Sequence, residues 1–281
     1  RAARGVLEDA RESIAVSLGA DPAEVVFTCG GTEADNLAVL GAMQAATRTG
    51  LTVSAVEHPA VLEAAREWER RGGEVVVAPV DSDGQVDLAG LAQNTALVSV
   101  MWANNETGIL SPIAEVVQSA RGVGALVHSD AVAAAGHVRL SFRDSGLDLM
   151  SVSAHKVGGP TGIGALLVRR GVSLAPLSYG GGQERRLRSG TQDAAGAAGF
   201  AAALAAAVAE QGAETVRIGE MAAQVERALA AIDGAVISGA GRDRVPGTVH
   251  AVIPGAPSEA LLFALDRAGL YVPGGKASYP S

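Results

Sequence analysis

Between residues 24 and 169, short apolar runs alternate with longer amphipathic stretches, and this alternation limits the fold more than any other feature of the chain. Strands are expected at Glu24–Thr28, Leu51–Val56, Glu74–Ala78, Leu97–Trp102, Ala125–His128, Leu147–Val152 and Gly164–Arg169. Helices are expected from about Leu37, over Pro59–Arg71, in a short piece at Leu88–Leu91 and over Ile113–Arg121. A further helix opens the chain, with Val6, Leu7, Ala10, Ile14, Ala15 and Leu18 on one face. Parallel strands joined through helices require right-handed crossovers, so the pattern predicts an α/β fold with a mostly parallel sheet covered on both faces. Hydrophobic residues make up 48% of the chain and aromatics only 3%, so Ala, Val, Leu and Ile must fill the space between layers. The 36 glycines suit many tight turns between strand and helix.

The texture changes near residue 211. An alanine-rich helix runs from Asp193 to about Glu210 and a second from about Glu214 to Ala231. Val236–Ser238, Gly247–Ile253 and a helix over Ser258–Ala268 then look like the start of an α+β unit. The expected organisation is a large domain over residues 1–211 and the beginning of a small C-terminal domain over 212–281. The chain opens inside a helix and closes inside a loop, so it is expected to be part of a longer protein. The net charge of −8 argues against nucleic-acid and anionic-membrane partners, with one local basic site at Arg185, Arg186 and Arg188. A single cysteine, Cys29, excludes an intramolecular disulfide and fits a reducing compartment. No apolar run reads as long enough to span a bilayer and no signal peptide opens the chain, so the expected location is cytoplasmic.

Polar residues gather where strands end. In open α/β sheets ligands bind beyond the carboxyl ends of the strands, so Thr32, His58, Asn105, Asp130 and Lys156 are expected to share one crevice. Lys156 leaves an apolar strand just before a glycine-rich loop, and a desolvated lysine there can form a Schiff base with a carbonyl. A surface loop lysine is the alternative. Gly30-Gly31-Thr32 precedes a helix, a place where backbone N–H groups can meet an anion, with Thr32 as the expected cap. Taken alone, His58 can be a surface histidine, Asp130 a turn carboxylate and Asn105 a residue bonded within its own loop. Ser153 and His155, which flank the lysine, can either donate to a phosphate or hold the strand end.

The ordered set is more specific than its parts. It comprises Phe27-Thr-Cys-Gly-Gly-Thr-Glu-Ala-Asp-Asn36, Glu57-His58, Asn104-Asn-Glu-Thr-Gly108, His128-Ser-Asp-Ala-Val132, Ser153-Ala-His-Lys156, Gly159-Pro-Thr-Gly-Ile-Gly164 and Gly180-Gly-Gly-Gln-Glu-Arg185 through Arg188-Ser-Gly-Thr191. From residue 1 to about 275 the chain resembles fold-type I enzymes that use pyridoxal phosphate, and most nearly the cysteine desulfurases of the class V aminotransferase group. That resemblance implies a three-layer transferase-like fold and the cofactor pyridoxal 5'-phosphate, with no metal. It implies that Lys156 carries the cofactor and moves protons at the substrate α-carbon, while His58 stacks on the ring and Asp130 pairs with its nitrogen. Asn105 would face the phenolic oxygen, and Gly31, Thr32, Ser153 and His155 would hold the phosphate. Thr191 would serve the neighbouring subunit's site, which implies a homodimer. The implied substrate is L-cysteine, converted to L-alanine. The sulfur would be left as a persulfide on a loop cysteine, for delivery to a sulfur-acceptor protein in iron–sulfur cluster assembly or another pathway.

Two departures bear on this expectation. Relatives carry the nucleophilic cysteine where this chain has Ser278, and a hydroxyl cannot hold sulfane sulfur and is a poor nucleophile without a base beside it. Relatives also carry a glutamine where this chain has Ala133, which removes one hydrogen bond worth about 1 kcal/mol. Two further readings follow: a related lyase or aminotransferase-like enzyme acting on another amino acid or on selenocysteine, and a catalytically silent scaffold.

Overall fold

The structure, a computed structural model, describes residues 2–81 and 84–272. In chain order its elements are α1 (Ala2–Ser17), β1 (Val25–Thr28), α2 (Gly31–Ala45), β2 (Gly50–Ser54), α3 (Pro59–Arg70), β3 (Glu74–Ala78), β4 (Thr95–Ser99), α4 (Ile113–Gly122), β5 (Leu126–Asp130), α5 (Phe142–Ser145), β6 (Leu149–Ser153), β7 (Gly164–Val168), α6 (Ala194–Ala230), β8 (Val236–Ile237), β9 (Ala251–Val252) and α7 (Ser258–Arg267).

Seven strands form one sheet in the order β3-β2-β4-β5-β6-β7-β1. Strands β3 through β6 are parallel, and β7 runs antiparallel to both of its neighbours. Because successive side chains point to opposite faces, each buried strand feeds two cores. Leu97, Leu149 and Leu166 pack with Leu37, Met43 and Val61 of α2 and α3. Val98, Met150 and Leu167 pack on the other face with Leu7, Ile14, Val116 and Phe200 of α1, α4 and α6. The fold is therefore the three-layer, mostly parallel arrangement expected from the alternation. The sheet order reverses between β2 and β4, so the loops leaving those strands flank a crevice at their carboxyl ends.

Local details differ from the sequence expectation. Helix α2 starts at Gly31 rather than near Leu37, because its buried first-turn positions are Ala34 and Asp35, which carry no strong apolar period. The expected helix over Leu88–Leu91 is absent and Ala89–Gly90 make a turn: Asp87 Oδ1 accepts from Ala89 N at 2.8 Å and Gly90 takes the left-handed conformation with φ 78°. The two expected helices around residue 211 are one 37-residue helix, α6. Gly212 meets open space there and costs only about 1 kcal/mol relative to alanine, too little to break the helix. That continuity corrects the expectation about apolar length as well, since α6 is long and apolar enough by composition to cross a membrane. Its buried residues, Gly196, Ala197, Phe200, Ala201 and Leu204, all lie in its first third, where it packs on α1 and on the turn after β6.

Candidate active site

The turn that carries Lys156 is shaped by its glycines. Strand β6 ends at Ser153, and Ala154–Val157 make one 3₁₀ turn closed by Gly158, whose φ of 78° suits glycine and whose N–H donates to Ala154 O. The chain then returns as β7, with Gly164 opposite Ser153. A Cβ on Gly164 would lie 2.8 Å from the Gly30 backbone and 2.7 Å from Val152 O. Only a glycine lets the loop before α2 settle onto the sheet next to the lysine turn. Lys156 itself is solvent-exposed, and the whole chain has only one other lysine, Lys276.

Across from it, Gly30 enters α2 with φ 152° and no side chain caps the helix. The expected Thr32 cap is thus replaced by an uncapped glycine turn, with Thr32 in the first turn of α2. A Cβ on Gly31 would come 2.7 Å from Val132 Cγ2 and 3.7 Å from Ser153 Cβ, so this helix end sits directly against the residues after β5 and β6. Ser153 Oγ and His155 Nδ1 lie 2.8 Å apart. Uncapped N–H groups, a hydroxyl and an imidazole together suit a dianionic phosphate, and no Cβ crowds the cradle.

Asp130 ends β5 with its Oδ1 accepting from Val132 N at 2.9 Å. Burial pushes its carboxyl up, opposed by the Val132 N–H and by the charges of His58 and Lys156. His58 caps α3, its Nδ1 accepting from Ala60 N at 3.1 Å. A ring nitrogen of His58 and one carboxylate oxygen each of Asp35 and Asp130 all lie within 4.8 Å of one another. The structure therefore joins His58, Asp130 and Lys156 in one crevice, with Gly31, Ser153 and His155 alongside.

Asn105 is exposed on the loop after β4. Its neighbour Asn104 holds that loop, donating to Val56 O at 3.2 Å and accepting from Thr107 N at 2.9 Å. Ala133 packs against the apolar core. Thr191 lies elsewhere, lining a cavity of about 790 Å³ with Leu7, Arg11, Glu184 and Gln192. The basic cluster is partly engaged in structure: Arg185 donates to Pro22 O at 2.9 Å, and Arg188 pairs with Glu33 at 2.9 Å. Cys29 is exposed, and its backbone N–H donates to Glu33 Oε2. Ser278 lies outside the described residues.

Three groups in this region carry no role assigned from the sequence: His128, Asp35 and Glu57. His128 is fully buried, with Nδ1 2.9 Å from Ser99 Oγ and Nε2 3.0 Å from Ser151 Oγ, and burial pushes it down to about 3. Asp35 approaches His128 Nε2 at 3.6 Å. Glu57 accepts from Met101 N at 2.6 Å. The available signal was polar residues inside otherwise apolar strands, since Ser99 and His128 are direct register partners of β4 and β5.

A lysine at a strand exit, a buried carboxylate, an imidazole and a glycine-lined helix start thus lie at the carboxyl ends of one mostly parallel sheet, where α/β enzymes hold their ligands. The aminotransferase class-V family profile matches residues 1–281, and the chain belongs to that family. It is 44% identical to an IscS-like cysteine desulfurase of Mycobacterium tuberculosis, over 99% of this chain and 74% of that protein. It is 37% identical to a cysteine desulfurase IscS of Dictyoglomus turgidum, over 99% and 72% of the two chains. Among solved structures, a NifS-like protein superposes with a TM-score of 0.92 at 34% identity, covering 96% of this chain and 76% of that one. SspA in complex with cysteine superposes with a TM-score of 0.82 at 29% identity, covering 98% and 79%.

Proposed function

We propose that this chain is a pyridoxal-phosphate-dependent cysteine desulfurase that converts L-cysteine to L-alanine. The observation that carries the reading is the meeting of Lys156, His58 and Asp130 beside the uncapped Gly30–Gly31 helix end. The relatives named cysteine desulfurase and the similarity to a structure holding cysteine support the substrate. When bound, the cofactor supplies an electron sink for the α-carbon of an amino acid. The Lys156 amine would hold it and carry protons at that carbon. The His58 ring would lie against its flat face, and Asp130 would hold the proton on its ring nitrogen. The first-turn N–H groups at Gly31 and Thr32, with Ser153 and His155, would hold its phosphate. Asn105 would serve the phenolic oxygen without help from position 133, where Ala133 has no polar group.

Residues 1–211 form the cofactor-holding domain in this reading and 212–281 begin the smaller one, supported by the end of burial in α6 after Leu204. Thr191 is exposed and apart from the Lys156 crevice, which supports its service to a neighbouring subunit in a homodimer. The acidic charge and the single cysteine suit a cytoplasmic setting, and delivery of sulfur to an acceptor protein rests on the relatives named IscS. Ser278 favours a second reading, turnover of another amino acid or of selenocysteine without a persulfide on the protein.

With only two lysines in the chain, attachment is simple to locate. Borohydride reduction followed by peptide mapping is expected to fix the cofactor on Lys156, and Lys156→Ala is expected to abolish both visible absorbance and turnover. Alanine and sulfide from L-cysteine with a thiol reductant support the first reading. Turnover of other amino acids alone selects the second, and cofactor on Lys276 overturns the site.

A further inference from the structure

Beneath the crevice lie three carboxyl groups, from Asp35 on α2, Glu57 after β2 and Asp130 on β5. Asp35 is 1% exposed and Glu57 5%. Asp35 Oδ1 and Glu57 Oε2 are buried with no hydrogen-bond partner, and among the described residues no lysine or arginine pairs with either group. An ionised carboxylate taken out of water without a cation is far costlier than a neutral acid, and like charges close together cannot all ionise. We infer that Glu57 and Asp35 are positioning acids that stay protonated in the folded chain, so that the crevice floor carries a single negative charge, on Asp130. The inference rests on the cofactor reading for its use: one carboxylate, not three, would face the ring nitrogen.

The surrounding groups decide which acid ionises. Asp35 faces His128 and Asp130 on β5, Ser151 on β6 and His58 at the start of α3. Glu57 faces the Met101 N–H just beyond β4 and the charge of Asp130. His128 stays neutral, so the groups able to bear positive charge are His58 and Lys156, and both act on Asp130. Asp130 also holds the Val132 N–H. Burial, and then repulsion from Asp130, raise Asp35 and bring Glu57 to about 8. Glu57 is tied to the same floor through the chain itself, since Met101 donates to Glu57 and Trp102 N donates to Asp130 O at 2.8 Å.

The test uses the full chain with and without added pyridoxal phosphate. Infrared spectra of the cofactor-free protein at pH 7 are expected to contain protonated-carboxyl absorption, part of which is lost in Glu57→Gln and part in Asp35→Asn. Gln keeps the acceptor for Met101 N and mimics the protonated acid. An acid raised in the folded state is protonated there and ionised in the unfolded chain, so its contribution falls as pH rises from the ordinary glutamate range to about 8 and then levels. The melting temperature of the unsubstituted chain is therefore expected to fall relative to Glu57→Gln by about 2 °C per pH unit across that window. A flat difference, or no protonated-carboxyl absorption at pH 7, overturns the inference. Should Glu57→Gln fail to fold, isotope-labelled glutamate carboxyl resonances of the unsubstituted chain decide it: one protonated glutamate supports the inference and none overturns it. These readouts need no cofactor, so a chain that fails to bind pyridoxal phosphate refutes the proposed function and still answers this question.

Discussion

Glu57 and Glu184 are equally buried, at 5% exposure each, yet their surroundings are opposite. Glu184 accepts from both terminal guanidinium nitrogens of Arg11 at 2.9 Å, from the Phe27 N–H at 2.9 Å and from the side-chain amide of Gln192. Burial alone would raise its carboxyl, but Arg11 and these donors hold it below the ordinary glutamate range. Glu57 has one backbone donor and no cation, so burial and Asp130 push it up. A buried carboxyl with all its lone pairs filled is a structural clasp. One with an empty oxygen beside a second acid is a group that holds a proton. The clasp also restrains its own loop, because Glu184, Arg185 and Arg186 take φ values of 43°, 58° and 65°, a left-handed run that costs non-glycine residues about 1–2 kcal/mol each.

The contrast breaks most visibly at Arg11. Arg11→Ala leaves Glu184 buried without its cation and is expected to cost about 3–5 kcal/mol in chemical denaturation. If the loss is under 1 kcal/mol, the clasp is not holding the loop.

A smaller effect separates the two glutamates by the sign of their pH dependence. Glu184 contributes stability that is present above the ordinary glutamate range and lost as pH falls through its depressed value. Melting curves of Glu184→Gln and the unsubstituted chain are thus expected to converge in acid and diverge toward neutrality, with Glu184→Gln the less stable there by about 1.5–3 kcal/mol. Glu57→Gln is expected to gain on the unsubstituted chain as pH rises, and parallel curves for the two substitutions would erase the distinction.

The mildest change tests the neutral histidine between Asp35 and β4. Ser151→Ala removes the hydroxyl on His128 Nε2 and leaves the one on Nδ1, with an expected cost of about 1 kcal/mol that does not vary between pH 5 and 8. A cost that grows toward acid would mean that His128 takes up a proton there.

Lys156, His58 and Asp130 could be read from the chain because each is a polar residue at the end of an apolar strand, and strand ends converge in a parallel sheet. Gly31 and Gly164 were visible as glycines, but the reason for them was not: one meets Val132, the other the Gly30 backbone. The role of Asp35 and Glu57 is not legible in the chain, because the absence of a neighbouring cation is a property of space, not of order along the sequence. The same holds for Arg11 and Glu184, separated by 173 positions.

By itself, the sequence determined the alternation of elements, the parallel sheet and the strand-end placement of the reactive groups, since local periodicity and chain connectivity are written residue by residue. Only the tertiary structure decided that α6 is one helix, that α2 opens on a bare glycine turn, and which buried acids have a cation. Those outcomes depend on packing and on distances between segments far apart in the chain, where the energy of burying a charge is settled by what lies across from it.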